Sequence, residues 1–355
     1  MRTIAFSQPV KLKEVAEAAG VSVSTASRAL ANVGNVSPKT RARVAAAARR
    51  LGYHPNQLAR GLRQGASRIV GLIVADLLNP FYALIAKGIQ DSSRKHGYSV
   101  VLLSTDGDHL REAECLQVVR THRLQGLLIV PIEGTLDNLE RFADLQRLPV
   151  VEIDRTTGRD GVKAVLVDNI GGARAAVRHL LEIGHERIAI VAGRRNVTTS
   201  LERIEGYALE MRAWGREIRN EWMALIEPSE TTAHDATMRL LDLDDDARPS
   251  AIFAFNNETT AGVLAALRAR GLAVPTDMSV VGFDDSRWLQ LLAPPITVVD
   301  QPGYELGYLA AEQLFDAMSR GASTTGYVRL ETRLVIRGST ATPGAGAVRS
   351  RPGWS

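Results

Sequence analysis

The chain has 355 residues, and at roughly 100–200 residues per domain that is too long for one small module and right for two or three. Hydrophobic residues make up 45% of it and charged residues 23%, close to the globular average, which excludes a disordered or fibrous chain. The net charge of +4 hides an asymmetry: residues 1–68 carry twelve Lys and Arg against Glu14 and Glu17 alone, while the rest carries 31 basic and 37 acidic residues. A small basic head therefore precedes a large acidic body, and the head suits a polyanionic partner.

Residues 10–30, VKLKEVAEAAGVSVSTASRAL, divide at Gly20 into two short helical patterns. Leu12, Val15, Ala16 and Ala19 have the i, i+3, i+4, i+7 spacing of a buried face. Gly20 suits the turn. Ser22 is placed to cap the second helix by accepting from the Ser24 or Thr25 amide, and Ala26 and Leu30 then face inward. A third helix is marked by Ser37 as cap, Pro38 at its first position, Val44, Ala48 and Leu51 at core spacing and Gly52 as its stop. This is the helix-turn-helix arrangement, whose second helix enters the major groove. Val23, Ser24, Ser27 and Arg28 lie on or near the outward face of that helix. Arg28 could donate two hydrogen bonds to guanine O6 and N7; the plainer reading is a solvated surface arginine.

From residue 10 through the glycine-flanked stretch ending near residue 65, the sequence resembles the DNA-binding headpiece of the lactose-repressor and purine-repressor (LacI/GalR) family. The resemblance implies that Val23 and Ser24 set operator preference, with Arg28 a further base contact. After Pro55, residues 56–63 have the length of two helical turns but no apolar stripe wide enough to hold them alone. The resemblance makes residues 56–68 a hinge helix ordered on DNA, with Asn56 and Leu62 among the DNA contacts and Leu62 the residue inserted between central base pairs in the minor groove. A flexible basic linker is the other reading of this segment.

From Ile69 onward, short apolar runs alternate with helical stretches. IVGLIVA, YSVVLLS, GLLIVP, PVVEI, KAVLV, RIAIVA, AIFAF, SVVGF and TVV are continuous rather than alternating, as in parallel strands covered on both faces. Between them lie helical patterns over 81–96, 110–120, 136–147, 170–182, 200–214, 258–270 and 303–319. This is an open, doubly wound α/β architecture with more units than one sheet comfortably holds, which favours two lobes.

Enzyme signatures are missing: there is no G-x-G-x-x-G after a strand, no phosphate-binding G-x-x-x-x-G-K-[ST], no G-x-S-x-G and no H-E-x-x-H. No cofactor, metal or catalytic residue is expected. The acid run at Asp242 and Asp244 to Asp246 reads as a solvated loop. Cys115 is the only cysteine, which excludes an intrachain disulfide framework and reads as a small buried hydrophobe on a helix. The N-terminus lacks the apolar core of a secretory signal, and no run approaches the 18 or so apolar residues of a membrane span. A cytoplasmic location, without a membrane partner, follows as an expectation.

The resemblance continues to about residue 343, through GLIVADLLNPFYALIAKGIQD, EIGHERIAIVAG, RIEGY, FNNETTAGVLAALRARGLAVPTDMSVVGFDD, ITVVDQP and RLVIRGST. It implies a regulatory core similar to periplasmic sugar-binding proteins: two Rossmann-like lobes joined by three crossovers, with an effector in the cleft. Carried over residue by residue, the effector contacts are Asp76, Phe81, Tyr82, Arg203, Asn256, Asp284 and Gln301. Aromatic faces would pack on a sugar or purine ring, while Arg and Asp would fix hydroxyls or ring edges through charge-assisted bonds. Simpler roles stand beside these: Phe81 in the core, Asp76 as cap of the helix near Pro80, Asn256 as cap of the helix over 258–270. The family usually carries Asn-Asp where this chain has Asn256–Asn257.

The organisation expected is thus a helix-turn-helix headpiece (1–55), a hinge (56–68), a two-lobed effector-binding and dimerisation core (69–343) and a disordered tail (344–355). The function expected is that of a homodimeric regulator, most often a repressor in this family, binding palindromic operator DNA under control of a small-molecule effector, a carbohydrate first. A purine, nucleoside or sugar-phosphate effector is the alternative within the family. A solute-binding protein would use the same two lobes, but the headpiece and the missing signal argue against it.

Overall fold

The computed structural model describes residues 10–53, 67–142, 145, 147–193, 197–320 and 326–344. Asn56 and Leu62, with all of the expected hinge before Ser67 and the tail beyond Gly344, lie outside the described residues. Contacts divide the chain into two units, Met1–Ser67 and Arg68–Ser355.

The first unit is a three-helix bundle of α1 (Leu12–Ala18), α2 (Val23–Ala31) and α3 (Pro38–Leu51). Ser22 Oγ accepts from the Thr25 amide at 3.1 Å and Ser37 Oγ from the Thr40 amide at 3.2 Å, so both expected caps satisfy otherwise orphaned helix donors. Gly20 turns the chain between α1 and α2 at φ +59°, and Gly52 stops α3 at φ +65°. Val15, Ala16, Ala19, Ala26, Val44, Ala47 and Ala48 form the core. Five of these seven are alanines, which lets three short helices approach closely enough to bury a small shared centre.

The second unit contains two six-stranded sheets of matching order. In the first lobe the strands are β1 (Ile69–Val74), β2 (Ser99–Ser104), β3 (Leu127–Ile129), β4 (Val150–Ile153), β5 (Lys163–Val167) and β11 (Gly326–Leu330), in the order β11-β5-β4-β3-β1-β2. In the second they are β6 (Ile188–Gly193), β7 (Met223–Ile226), β8 (Ala251–Ala254), β9 (Ser279–Phe283), β10 (Thr297–Asp300) and β12 (Arg333–Val335), in the order β12-β10-β9-β8-β6-β7. All pairings are parallel except β10 with β12. The covering helices are α4 (Pro80–Lys95), α5 (His109–Thr121), α6 (Thr135–Arg141), α7 (Asn169–Glu182), α8 (Thr198–Ala213), α9 (Glu230–Leu241), α10 (Asn257–Ala269), a single turn α11 (Arg287–Gln290) and α12 (Gly303–Arg320). Among the described residues, no helix is long and apolar enough to cross a membrane.

The chain passes between lobes after β5, after β10 and between β11 and β12, as the sheet membership requires. The crossovers brace one another: the Asp168 amide donates to the Leu330 carbonyl at 2.8 Å, and Thr332 Oγ1 to the Asp168 carbonyl at 3.2 Å. The second crossover delivers α12 to the first lobe, where it packs on α4. Gly88 and Gly307 make that approach possible: a Cβ at either would lie 2.1 Å from a backbone carbonyl oxygen of the facing helix, Tyr304 or Ile85.

Five elements carried no expectation, namely β7, β11, β12, α9 and the single turn α11. The strands lie at sheet edges and are only partly buried, so their apolar runs are weak. The buried face of α9 is built largely from Ala233, Ala236 and Thr237, small residues that blur a helical stripe. The helix expected over 136–147 is shorter: the backbone leaves it at Phe142 (φ −101°, ψ 71°), and the turn that follows buries Leu145. The acid run at Asp242 and Asp244 to Asp246 is exposed, and Cys115 is buried on α5.

Candidate functional site

On the headpiece, Val23 is 44% exposed, Ser24 and Arg28 are exposed and Ser27 is half-buried, so the expected face of α2 points outward. Arg28 folds back along its helix, Nε donating to the Ser24 carbonyl at 3.3 Å. That single long bond on an exposed helix is easily exchanged for a stronger acceptor. The loop after α2 is held by Arg41, whose guanidinium donates to Asn32 Oδ1, to the Gly34 carbonyl at 2.9 Å and to the Val36 carbonyl at 3.1 Å. Asn32, left-handed at φ +59°, is the α2 cap, so Arg41 fixes the point where the recognition helix ends.

In the core unit a cavity of about 730 Å³ opens between the lobes, at the carboxyl ends of both sheets, where open α/β folds bind ligands. Asp76, Leu78, Tyr82 and Arg155 line it from the first lobe and Ser200, Phe255 and Asn256 from the second. Beneath this surface lies a buried polar layer. Asp154 and Asp284 follow β4 and β9, the equivalent strands of the two sheets, and both adopt left-handed backbone (φ +66° and +76°). Tyr82 Oη donates to Asp154 Oδ2 at 3.2 Å, and Arg155 Nε lies 3.6 Å from the same oxygen. Arg203, 3% exposed on α8, donates from Nε to Asn169 Oδ1 at 2.8 Å and from Nη1 to the Phe255 carbonyl at 2.7 Å. Its guanidinium lies 3.6 Å from the centroid of the Phe283 ring. Gln301 Nε2 donates to Asp284 Oδ1.

Burial dominates the electrostatics here. It raises the pKa values of Asp154 and Asp284 above the ordinary carboxylate range, against the opposing pull of Arg155 and Arg203 on the first and of Arg203 and the Gln301 bond on the second. Burial likewise pulls Arg203 down, opposed by the same two carboxylates, and pushes the Tyr82 hydroxyl up. At the rim, Glu258 is raised by burial and by the neighbouring Asp76 of the other lobe. Four side-chain atoms of this region, Asp154 Oδ1, Arg155 Nε, Ser200 Oγ and Gln301 Oε1, are buried without a hydrogen-bond partner among the described residues. Such atoms cost free energy unless something pairs with them.

The structure brings Asp76, Tyr82 and Asn256 onto the cavity surface and places Arg203, Asp284 and Gln301 in the layer behind it. Phe81 sits in the first-lobe core. Asn256 caps α10 as well as lining the cavity, its Oδ1 accepting from the Thr259 amide at 2.9 Å. Asp76 does not cap α4. It accepts from the Leu78 amide two residues on, and Asn79 is the cap, accepting from the Phe81 amide at 3.0 Å. Sequence reasoning missed Asp154, Arg155, Asn79 and Asn257. Asp154 had a legible signal, since VVEID repeats the strand-then-Asp pattern of VVGFD. Asn257 carried one only as a departure: its Nδ2 reaches Asn79 Oδ1 of the opposite lobe at 3.4 Å while its Oδ1 accepts from Ser286 at 2.7 Å.

Comparison with known proteins covers both units. Residues 11–56 match the model of bacterial regulatory proteins of the lacI family, and residues 67–337 match that of periplasmic binding proteins and the sugar-binding domain of the LacI family. The transcriptional repressor CytR of Escherichia coli strain K12 is 32% identical over 330 residues, 93% of this chain and 96% of the relative. A CelR–cellobiose complex is 30% identical with a TM-score of 0.70, covering 93% of this chain and 99% of the other. The lac repressor dimer bound to operator and the anti-inducer ONPF is 26% identical with a TM-score of 0.82, covering 94% and 100%. The chain, headpiece and two-lobed core together, belongs to the LacI/GalR family of DNA-binding transcriptional regulators, which are not enzymes.

Proposed function

We propose that the chain is a repressor working in the cytoplasm as a homodimer on a pseudo-palindromic operator, released or engaged by a carbohydrate bound between the lobes. The headpiece (1–55) reads the major groove through Val23, Ser24, Ser27 and Arg28, and the hinge (56–68) adds Asn56 and the minor-groove wedge Leu62. The core (69–343) binds the effector through Asp76, Tyr82, Asn256, Arg203, Asp284 and Gln301, with Phe81 shaping the wall.

The observation that carries the effector reading is the set of buried, unpartnered polar atoms at Asp154, Arg155, Ser200 and Gln301, acceptors and donors together, beside a cavity of about 730 Å³. Mixed acceptors and donors in a pocket with aromatic and aliphatic walls suit a ligand rich in hydroxyls, which both donate and accept. The cellobiose in the CelR relative supports the same class. A thermal-shift screen of the full chain against neutral sugars, sugar phosphates, nucleosides and purines tests it, because a ligand of the folded state raises the melting temperature. A shift with neutral sugars is the expected result. A shift confined to purines or nucleosides would overturn the carbohydrate assignment and keep the cleft, whereas no shift with any class would overturn both.

A further inference from the structure

In the effector cavity two carboxyl groups meet across the lobes. Asp76 follows β1 of the first lobe, Glu258 lies in the first turn of α10 of the second, and both line the cavity half-buried. Their side chains are in hydrogen-bonding contact. Ionised carboxylates only accept, so such a contact holds only with a proton or a cation between the two groups.

The surroundings supply no cation. Among the described residues, the groups that act on Glu258 are Asp76 and exposed Glu230 at the start of α9, and both are acidic. Arg155 is the one described cationic side chain that lines the cavity, and it faces Asp154, with Nε 3.6 Å from Oδ2. The dipole of α10 accounts for one carboxylate in its first turn. It does not account for a second brought by the opposite lobe, where Asp76 is fixed by the Leu78 amide donating to its Oδ1 at 2.8 Å. A separate observation asks for a ligand in the same cavity: Ser200, 1% exposed, lines it with an Oγ that has no hydrogen-bond partner among the described residues. Two carboxylates fall short of the roughly six to eight oxygens that a calcium ion takes, and among the described residues no group of three or more side chains could hold a metal. An organic ammonium needs only the two, because its three N–H donors can serve both carboxylates at once.

We propose that Asp76 and Glu258 together bind a protonated amine on the effector, which makes the effector a polyhydroxylated amine of the amino-sugar class. One ammonium then takes the place of the shared proton and ties a carboxylate from each lobe, so occupancy favours the arrangement in which the two groups meet. A neutral sugar of the same frame still fills the hydroxyl-matching part of the cleft and binds more weakly. The inference rests on the carbohydrate reading of the cleft and narrows it.

Titration calorimetry of the full-length protein at pH 7 with matched sets tests it: a neutral sugar, its amino counterpart and the N-acetylated form, on glucose, galactose, mannose and cellobiose frames. In the frame that the cleft accepts, the amine should bind about tenfold tighter than its neutral parent or better, the equivalent of one charge-assisted hydrogen bond at about 1.5 kcal/mol. Acetylation removes the charge and should remove the gain. Glu258→Gln should bring the amine-to-parent ratio down toward one, and its ligand-free melting temperature should equal or exceed that of the wild type, because one of two repelling acids is gone. Amines that bind no tighter than their parents, or a preference that survives acetylation or Glu258→Gln, would overturn the amine site and leave the carbohydrate cleft in place. Absence of binding by every compound would overturn the carbohydrate reading itself, and this inference with it.

Discussion

Replacing Arg203 by Met keeps much of the side-chain volume and removes the guanidinium. The change leaves the Phe255 carbonyl and Asn169 Oδ1 without the donors now at 2.7 and 2.8 Å, and it withdraws the cation that opposes the burial cost of Asp154 and Asp284. Removing one member of a buried charge cluster typically costs about 3–5 kcal/mol, because the remaining charge is left uncompensated. For a unit of this size, at about 2–4 °C per kcal/mol, the core transition should fall by roughly 6–20 °C in scanning calorimetry of the full chain. Asp284→Asn supplies the internal control. An asparagine Oδ1 still accepts from Gln301, but Arg203 loses the carboxylate that most opposes its own burial cost, so the single change should destabilise by the same mechanism. The double variant Arg203→Met with Asp284→Asn should then regain a large part of the loss, while neither variant regains effector binding. A single Arg203→Met that melts within about 1 °C of wild type, or a double variant no better than the single, would show that the three groups are not coupled.

Three further outcomes follow from named contacts. Arg28→Ala should cost about 1–3 kcal/mol of operator binding and relax selectivity at one position of each half-site, read by competition among base-substituted duplexes; uniform weakening across all sequences would make Arg28 a phosphate contact instead. His185 is buried between Ser250, Ser279 and the Ala341 carbonyl at 2.8, 3.0 and 2.9 Å, and burial holds its pKa below the ordinary 6.5. The unfolded chain therefore takes up the proton first, so the stability this ring contributes is complete above pH 6.5 and is lost as pH falls below it toward the folded value. The melting-temperature gap between wild type and His185→Gln should narrow from pH 7.5 to pH 5, and a constant gap would contradict a neutral, buried ring. Asn257→Asp should destabilise the core by about 1–3 kcal/mol, because Asn79 Oδ1 already accepts from Phe81 and presents an acceptor that a carboxylate cannot satisfy; an unchanged melting temperature would discount the cross-lobe bond.

What the sequence discloses and what it hides divide along physical lines. The headpiece is legible almost to the residue, because Ser22, Ser37, Pro38, Gly20 and Gly52 each act on their own backbone. The strands of the sheet interiors are legible as continuous apolar runs. The edge strand β11, exposed along most of its length, carries no such run, whereas the edge strand β2 keeps one in SVVLLS. The split into lobes is invisible locally, since it is made by three crossovers whose hydrogen bonds join Asp168 to residues 330 and 332. In the cleft, Asp284 and Arg203 came from resemblance, but their partners Asn169, Phe255 and Asp154 come from distant segments that only tertiary packing brings together.

Selection of bound duplexes from a random library by the full-length protein, sequenced after several rounds, tests the central claim most directly. A dimer with one recognition helix per half-site should enrich two inverted half-sites related by a two-fold axis and spaced about one helical turn apart. The same selection with Arg28→Ala should lose information at one position in each half. Failure of the wild type to enrich any sequence over the starting library at moderate salt would contradict the account.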